Sequence, residues 1–188
     1  MFDIEASLDS RLLAEPRNRP TVVFPEALDP RTLEAACFLG RFIRPVFLAP
    51  EAEVRALAAS RLAHLGEDRV AYTLSESAFV DPASRPDLLA AFAAAAVEWG
   101  HSHGRYQSLE EAQRFMTDPC LFGIWAVKLG HADMVVGGAI HEPKAFFRPM
   151  VELLAQRSVT CEAGVFVLPD SHPDDVYPHN IVVFGDVG

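Results

Sequence analysis

Lysine is almost missing from this chain: 16 of its 188 residues are Lys or Arg, and only Lys128 and Lys144 are lysines. Against 26 Asp and Glu, the formal net charge is 16 − 26 = −10. An acidic chain without a basic run has little to offer a phosphate backbone, so nucleic acid is not an expected partner. Long apolar runs are absent too. The longest, Leu88 to Val97, is well short of the ~18–20 residues that a membrane-crossing helix needs, so no membrane partner is expected. Cysteine is sparse: Cys37, Cys120 and Cys161 are odd in number and far apart, which argues against a disulfide framework and for a reducing, cytoplasmic compartment. There is no G-x-S-x-G, P-loop, C-x-x-C or G-x-G-x-x-G, which removes the usual signatures of hydrolases, NTPases and dinucleotide enzymes.

What is present has an ordinary globular balance, half apolar and 22% charged. Residues 1–20 begin with acids and carry no apolar stretch, and read as a flexible, solvated arm. From residue 21, short β-branched runs alternate with longer helical patterns. Val22–Phe24, Val46–Leu48, Val70–Tyr72 and Met134–Val136 read as strands. Asp29-Pro30 and Asp118-Pro119 each look like a cap followed by proline at the first helical position, and Ser108 with Glu111 has capping-box spacing. Asp87–Trp99 is Ala-rich and helical by propensity. The last helix of the series is expected to turn Phe147, Met150, Val151 and Leu154 to one side. This β-α order predicts an α/β fold, a three-layer α/β/α sandwich on a mostly parallel sheet, over residues 21–157. The tail differs: Val165–Leu168 and Ile181–Phe184 read as an antiparallel, hairpin-like pair joined by a Pro-rich loop.

The strand, turn and helix at Met134–Leu154 form the leading candidate site. Open α/β sheets gather ligands outside the carboxyl ends of their strands, where helix N-termini offer free N–H groups to anions. Gly137 and Gly138 would admit a ligand close to the backbone, and His141, Lys144 and Arg148 follow, the last two on one helical face. Glu26 ends another strand, where it would hold a positive group or brace the same crevice; Asp29 reads as a helix cap. His101 and His103 form an HxH pair, and His172, Asp174, Asp175 and His179 have metal-like composition. Neither group has the company a metal site needs, and no metal or redox cofactor is expected.

Several of these residues also carry a family resemblance. TVVFPEALDPRTLEAA, SLEEAQRFMTDPCLFGIWAVKLGHADMVVGGAIHEPKAFFRP and NIVVFGD follow in order the pattern of the phosphate acetyltransferase/butyryltransferase (phosphotransacetylase) family, which the chain resembles over its N-terminal half. The resemblance implies acyl transfer between acyl-CoA and phosphate, with coenzyme A as substrate and not as cofactor. It also implies two α/β domains with a cleft between them, and a homodimer. Glu26, Asp133 and Arg148 fall on family positions, and Arg148 matches the arginine associated with the phosphate or CoA site. Residues 158–188 would be the beginning of the second domain.

The chain departs from the family pattern in three places. Glu142 and Pro143 stand where small hydroxyl residues usually follow the matching His; an ionised Glu142 repels phosphate and Pro143 has no N–H. The family's arginine ahead of the capped helix falls near Ser102, with Arg105 a substitute only through a shift in the loop. Nothing matches the segment bearing the family's Ser-Arg pair and Asp base, so the catalytic residues stay unassigned. The expectation is therefore an acyltransferase-type chain that needs a partner or is inactive alone. The alternative is a non-catalytic CoA- or anion-binding or protein-interaction module. The tail strands, residues 160–188, would be covered by a second copy or a heteromeric partner.

Overall fold

A computed structural model describes residues 19–155, 162–168 and 181–186. Four strands, β1 (Thr21–Phe24), β2 (Arg44–Phe47), β3 (Ala78–Phe79) and β4 (Met134–Val135), form a parallel sheet in the order β3-β2-β1-β4. β1 is the central strand. Its TVVF run is buried at Val22, Val23 and Phe24, as expected of a parallel strand covered on both faces. Asp133 fixes the register at its start: Thr21 N donates to Asp133 Oδ2 (2.7 Å), and Asp133 N donates to the Thr21 carbonyl (2.9 Å).

Among the described residues, seven α-helices complete the α/β sandwich: α1 (Pro30–Leu39), α2 (Glu51–Arg61), α3 (Glu67–Ser75), α4 (Pro86–His103), α5 (Leu109–Met116), α6 (Pro119–Lys128) and α7 (Pro143–Leu154). α1 packs with α2 and α3, while α4, α5, α6 and α7 pack with one another. Three of the helix starts were readable as caps. Asp29 accepts from Arg31 N, Asp118 from Leu121 N, and Ser108 from Glu111 N, while the Glu111 carboxylate accepts from Gln107 N. α6 is apolar nearly all round and lies in the core, with Trp125 and Ile124 fully enclosed among Phe92, Phe122, Met116 and Phe146. Each such side chain contributes about 1.5–3 kcal/mol by leaving water.

Two local expectations are corrected. Val70–Tyr72 is not a strand but the middle of α3; the third strand is the two-residue Ala78–Phe79. Glu67 and Asp68 favour a helix start, and Thr73 and Leu74 bury against neighbouring helices, which outweighs the β preference of Val70 and Tyr72. In α7 the inward side is Phe146, Met150, Leu153 and Leu154, whereas Phe147 and Val151 are exposed. The stripe is rotated because the helix begins at Pro143, directly after the loop that aims Phe146 at the glycine turn.

Residues 18–154 make one compact unit, and the tail belongs to a second. In that second unit β5 (Glu162–Val167) pairs antiparallel with β6 (Ile181–Asp186), with Val165 opposite Val183. Phe166 and Phe184 lie on one side of this ribbon, ring centroids 5.5 Å apart and edge to face. Both rings and Val183 are more than half exposed.

Candidate active site

The sheet order places a topological switch point beside the strand, turn and helix singled out in the sequence. The chain winds outward from β1 to β2 and β3, then returns to β4 on the other side of β1. The gap beyond the carboxyl ends of β1 and β4 is therefore the topological switch point, where open α/β sheets bind ligands. Glu26 stands just beyond β1, and residues 137–141 just beyond β4.

Glu26 is buried and fully engaged. Its Oε2 accepts from Ala139 N (2.6 Å), and its Oε1 accepts from Ile140 N (3.0 Å), His141 N (3.0 Å) and the His141 ring at Nδ1 (2.7 Å). Burial raises the carboxyl's pKa, but His141 and the three backbone N–H groups outweigh it, and the result is held down at about 2. The same loop is gripped from outside by Arg31, whose Nη2 donates to the Ala139 carbonyl (2.7 Å) while the guanidinium pairs with Asp29.

The two glycines have explanations that need no ligand. A Cβ on Gly137 would sit 2.9 Å from the Phe146 ring, so the space beside Gly137 belongs to that ring. Gly138 has φ +95°, a conformation that side chains disfavour, and it turns the chain back over Glu26.

Outside this inner cluster lies an open depression of about 660 Å³, lined by Arg105, Glu142, Lys144, Ala145, Arg148 and Pro149. Glu152 organises its cations: Oε1 accepts from Arg105 Nη2 (2.7 Å) and from Arg148 Nε (2.9 Å). Lys144 and Arg148 share this wall, as their spacing implied, and the exposed Glu142 brings a negative charge to it. Lys128, the other lysine, donates to the Leu153 carbonyl (2.7 Å) and ends α7.

Glu26, Gly137, Gly138 and His141 thus gather at the switch point, with Lys144 and Arg148 on the adjoining helix. Glu152 escaped the sequence reading, and Arg105 entered it only as a substitute. The i,i+4 spacing of Arg148 and Glu152 was available as a signal; the Arg105–Glu152 pair, 47 residues apart, had none.

Metal-ligating atoms come together at one place among the described residues. Glu26, Cys120 and His141 offer atoms all within 4.8 Å of one another, with Cys120 Sγ 3.4 Å from His141 Nδ1. The set is poorly suited to an ion. The Glu26 carboxylate already takes four hydrogen bonds, and burial together with the Asp118 and Glu26 charges pushes the Cys120 thiol up to about 12. His101 and His103 stay at the exposed end of α4, where the His103 ring stacks on Trp99 (4.0 Å between centroids) and bonds its carbonyl. Cys161, His172, Asp174, Asp175 and His179 lie outside the described residues.

Comparison with known proteins gives one consistent result. A family model described as phosphate acetyl/butaryl transferase matches residues 10–188. A phosphate acetyltransferase of Nitratidesulfovibrio vulgaris is 30% identical over 172 residues, 90% of this chain and 22% of that protein. One from Acetivibrio thermocellus is 26% identical over 171 residues, 89% of this chain and 47% of that protein. The crystal structure of a phosphotransacetylase from Streptococcus pyogenes superposes with a TM-score of 0.62 at 25% identity, over 87% of this chain and 46% of that one. The chain spans between about a fifth and about half the length of these relatives.

Proposed function

The chain belongs to the phosphate acetyl/butaryl transferase family, and from that premise we propose that it takes part in acyl transfer between coenzyme A and inorganic phosphate. The residues in hand supply one wall of the site, and further polypeptide completes it. The carrying observation is the basic depression beside the switch point, where Glu152 aligns Arg105 and Arg148 and Lys144 lies on the same wall. Guanidinium groups meet phosphoryl oxygens two at a time, and an ammonium adds a mobile point charge, so this wall suits a phosphate or the phosphates of CoA. No metal or redox cofactor enters the proposal, because transfer between a thioester and phosphate requires neither.

The purified chain should bind CoA in calorimetry and, once the completing polypeptide is present, form acyl phosphate from acyl-CoA and phosphate. Absence of both sinks the reading. A second reading has its own observation. Glu142 sits among the cations, and Arg148 is already tied to Glu152, an arrangement that suits a binding module better than a fast enzyme. CoA binding without turnover, even with the completing polypeptide, favours that module.

The β5–β6 ribbon is the proposed contact with a second copy or another polypeptide. Phe166 and Phe184 present an apolar patch on one face of the ribbon, and Val183 is exposed on the other, surfaces that a lone two-stranded sheet leaves in water. Self-association in light scattering checks this. A cytoplasmic setting is proposed on the two described thiols, both free and buried.

A further inference from the structure

α1 and α3 face each other through residues that recur at helical spacing. Cys37, Phe38 and Arg41 belong to the end of α1 and the turn after it, while Asp68, Arg69, Tyr72 and Thr73 share one side of α3. The helices touch at Gly40, where an added Cβ would strike the Thr73 hydroxyl. Beside that contact they stand apart, and a cavity of about 410 Å³ opens between them. α1 ends just before β2 begins, so the cavity lies towards the end of the sheet opposite the switch point. Its lining has the character of a small-molecule site, an apolar interior with a few polar groups. Cys37 and Thr73 are buried at its floor, and burial pushes the Cys37 thiol up, so the floor is neutral. Phe38 and Tyr72 flank it, large aromatic side chains left nearly half in water. The Arg69 guanidinium lies over the Phe38 ring, 5.0 Å from its centroid, and Arg41 borders the same space. On the other side the Tyr72 hydroxyl accepts from Arg19 Nη1 (2.9 Å), and Arg19 also pairs with Glu76 (2.8 Å), which holds the tyrosine in place. Arg41 and Arg69 against Asp68 leave the lining at +2 − 1 = +1, a local reversal of sign on a chain of net charge −10.

We infer that this cavity is a second binding site, separate from the depression beside Arg148, and that it takes a small aromatic carboxylate. The flat body enters between Phe38 and Tyr72 over the neutral floor. The carboxylate meets Arg41 and Arg69, since guanidinium N–H groups bind carboxylate oxygens in pairs. Neither part of such a ligand suffices alone. A bare inorganic anion makes no use of the aromatic walls, and Asp68 repels a second negative charge. A neutral arene gains nothing from the two cations. Binding here is independent of the acyl transfer proposed above.

NMR titration of the unmodified chain tests this with three probes: benzoate, its neutral counterpart benzyl alcohol, and acetate as the charged head alone. Benzoate should shift the backbone amides of residues 37–41 and 68–73 with a Kd of about 1 mM, an ordinary affinity for so small a ligand. Benzyl alcohol and acetate should each bind about tenfold more weakly or worse, because each lacks one of the two parts. Arg41 is exposed, so Arg41→Gln leaves the fold intact, and it should weaken benzoate about tenfold while Arg41→Lys recovers part of the loss. CoA should leave the benzoate shifts in place. No shift at these amides at about 10 mM benzoate, well above that Kd, would overturn the site. So would equal affinity for benzyl alcohol, an Arg41→Gln protein that binds benzoate as the parent does, or displacement of benzoate by CoA. If benzoate binds and CoA does not, the acyl-transfer reading falls and this site stands.

Discussion

Replacing Glu26 by glutamine tests how much of the fold's stability rests on the buried carboxylate. The substitution keeps size and shape but removes the charge, and it turns one oxygen into an NH2 that faces backbone N–H groups. The carboxyl's pKa falls from an ordinary 4.5 to about 2 in the fold. That gap of about 2.5 units, at about 1.36 kcal/mol each, corresponds to about 3 kcal/mol. The sign follows from the direction. A value lowered by folding stabilises the native state fully above the unfolded value, and the benefit is lost as pH drops from about 4.5 towards 2. Glu26→Gln should therefore lose about 3 kcal/mol at pH 7, and the difference from the parent should shrink steadily below pH 4.5. For a domain of this size the melting temperature should fall by roughly 6–12 °C. Urea unfolding at pH 7, 4 and 2.5, followed by the fluorescence of Trp99 and Trp125, gives the differences directly. A loss under about 1 kcal/mol at pH 7, or a gap that persists unchanged to pH 2.5, would refute the reasoning.

Other parts of the structure lend themselves to similar tests. Arg148→Ala should weaken CoA or phosphate binding about tenfold in calorimetry, because it removes a charge-assisted contact and leaves Glu152 braced only by Arg105. Gly100→Ala should cost about 2 kcal/mol or more in urea unfolding, since the new Cβ would collide with the Arg105 carbonyl, which is backbone and cannot simply swing aside. Cys120, with its thiol pushed up to about 12, should resist thiol reagents at pH 8 in the native protein and react in urea, as read by peptide mass mapping. Phe184→Glu should reduce self-association in light scattering while leaving the 18–154 unit's melting transition in place, because it charges the exposed side of the β5–β6 ribbon.

How far the sequence carried this picture depended on the range of the interactions involved. Helix starts were legible because caps act over two or three residues, as at Asp29, Ser108 and Asp118. The central strand was legible because a strand buried on both faces is a plain apolar run. Val70–Tyr72 misled because β-branched and aromatic residues prefer strands until tertiary burial of Thr73 and Leu74 decides otherwise. Glu26 was recognisable as a brace for the crevice, but its partners were not, since a carboxylate's hydrogen bonds to distant N–H groups leave no local pattern. The same applies to Glu152, where one arginine partner is a turn away on the same helix and the other is across a loop. Gly137 was noticed for the right reason, a close approach, but the approaching group is Phe146.

The bonds from Glu26 to residues 139–141 also have a kinetic meaning, because they close loops of 113 to 115 residues. Contacts at such separation form late, since chain closure must precede any return from the contact itself. β1 emerges from the ribosome well before β4, yet the loop that rests on the Glu26 carboxylate cannot take shape until β4 has docked beside β1. The amides of Ala139, Ile140 and His141 should accordingly be among the last to gain protection in pulse-labelled refolding. The 139–141 loop would then exist only in molecules whose sheet is already complete, so partly folded chains would not present it.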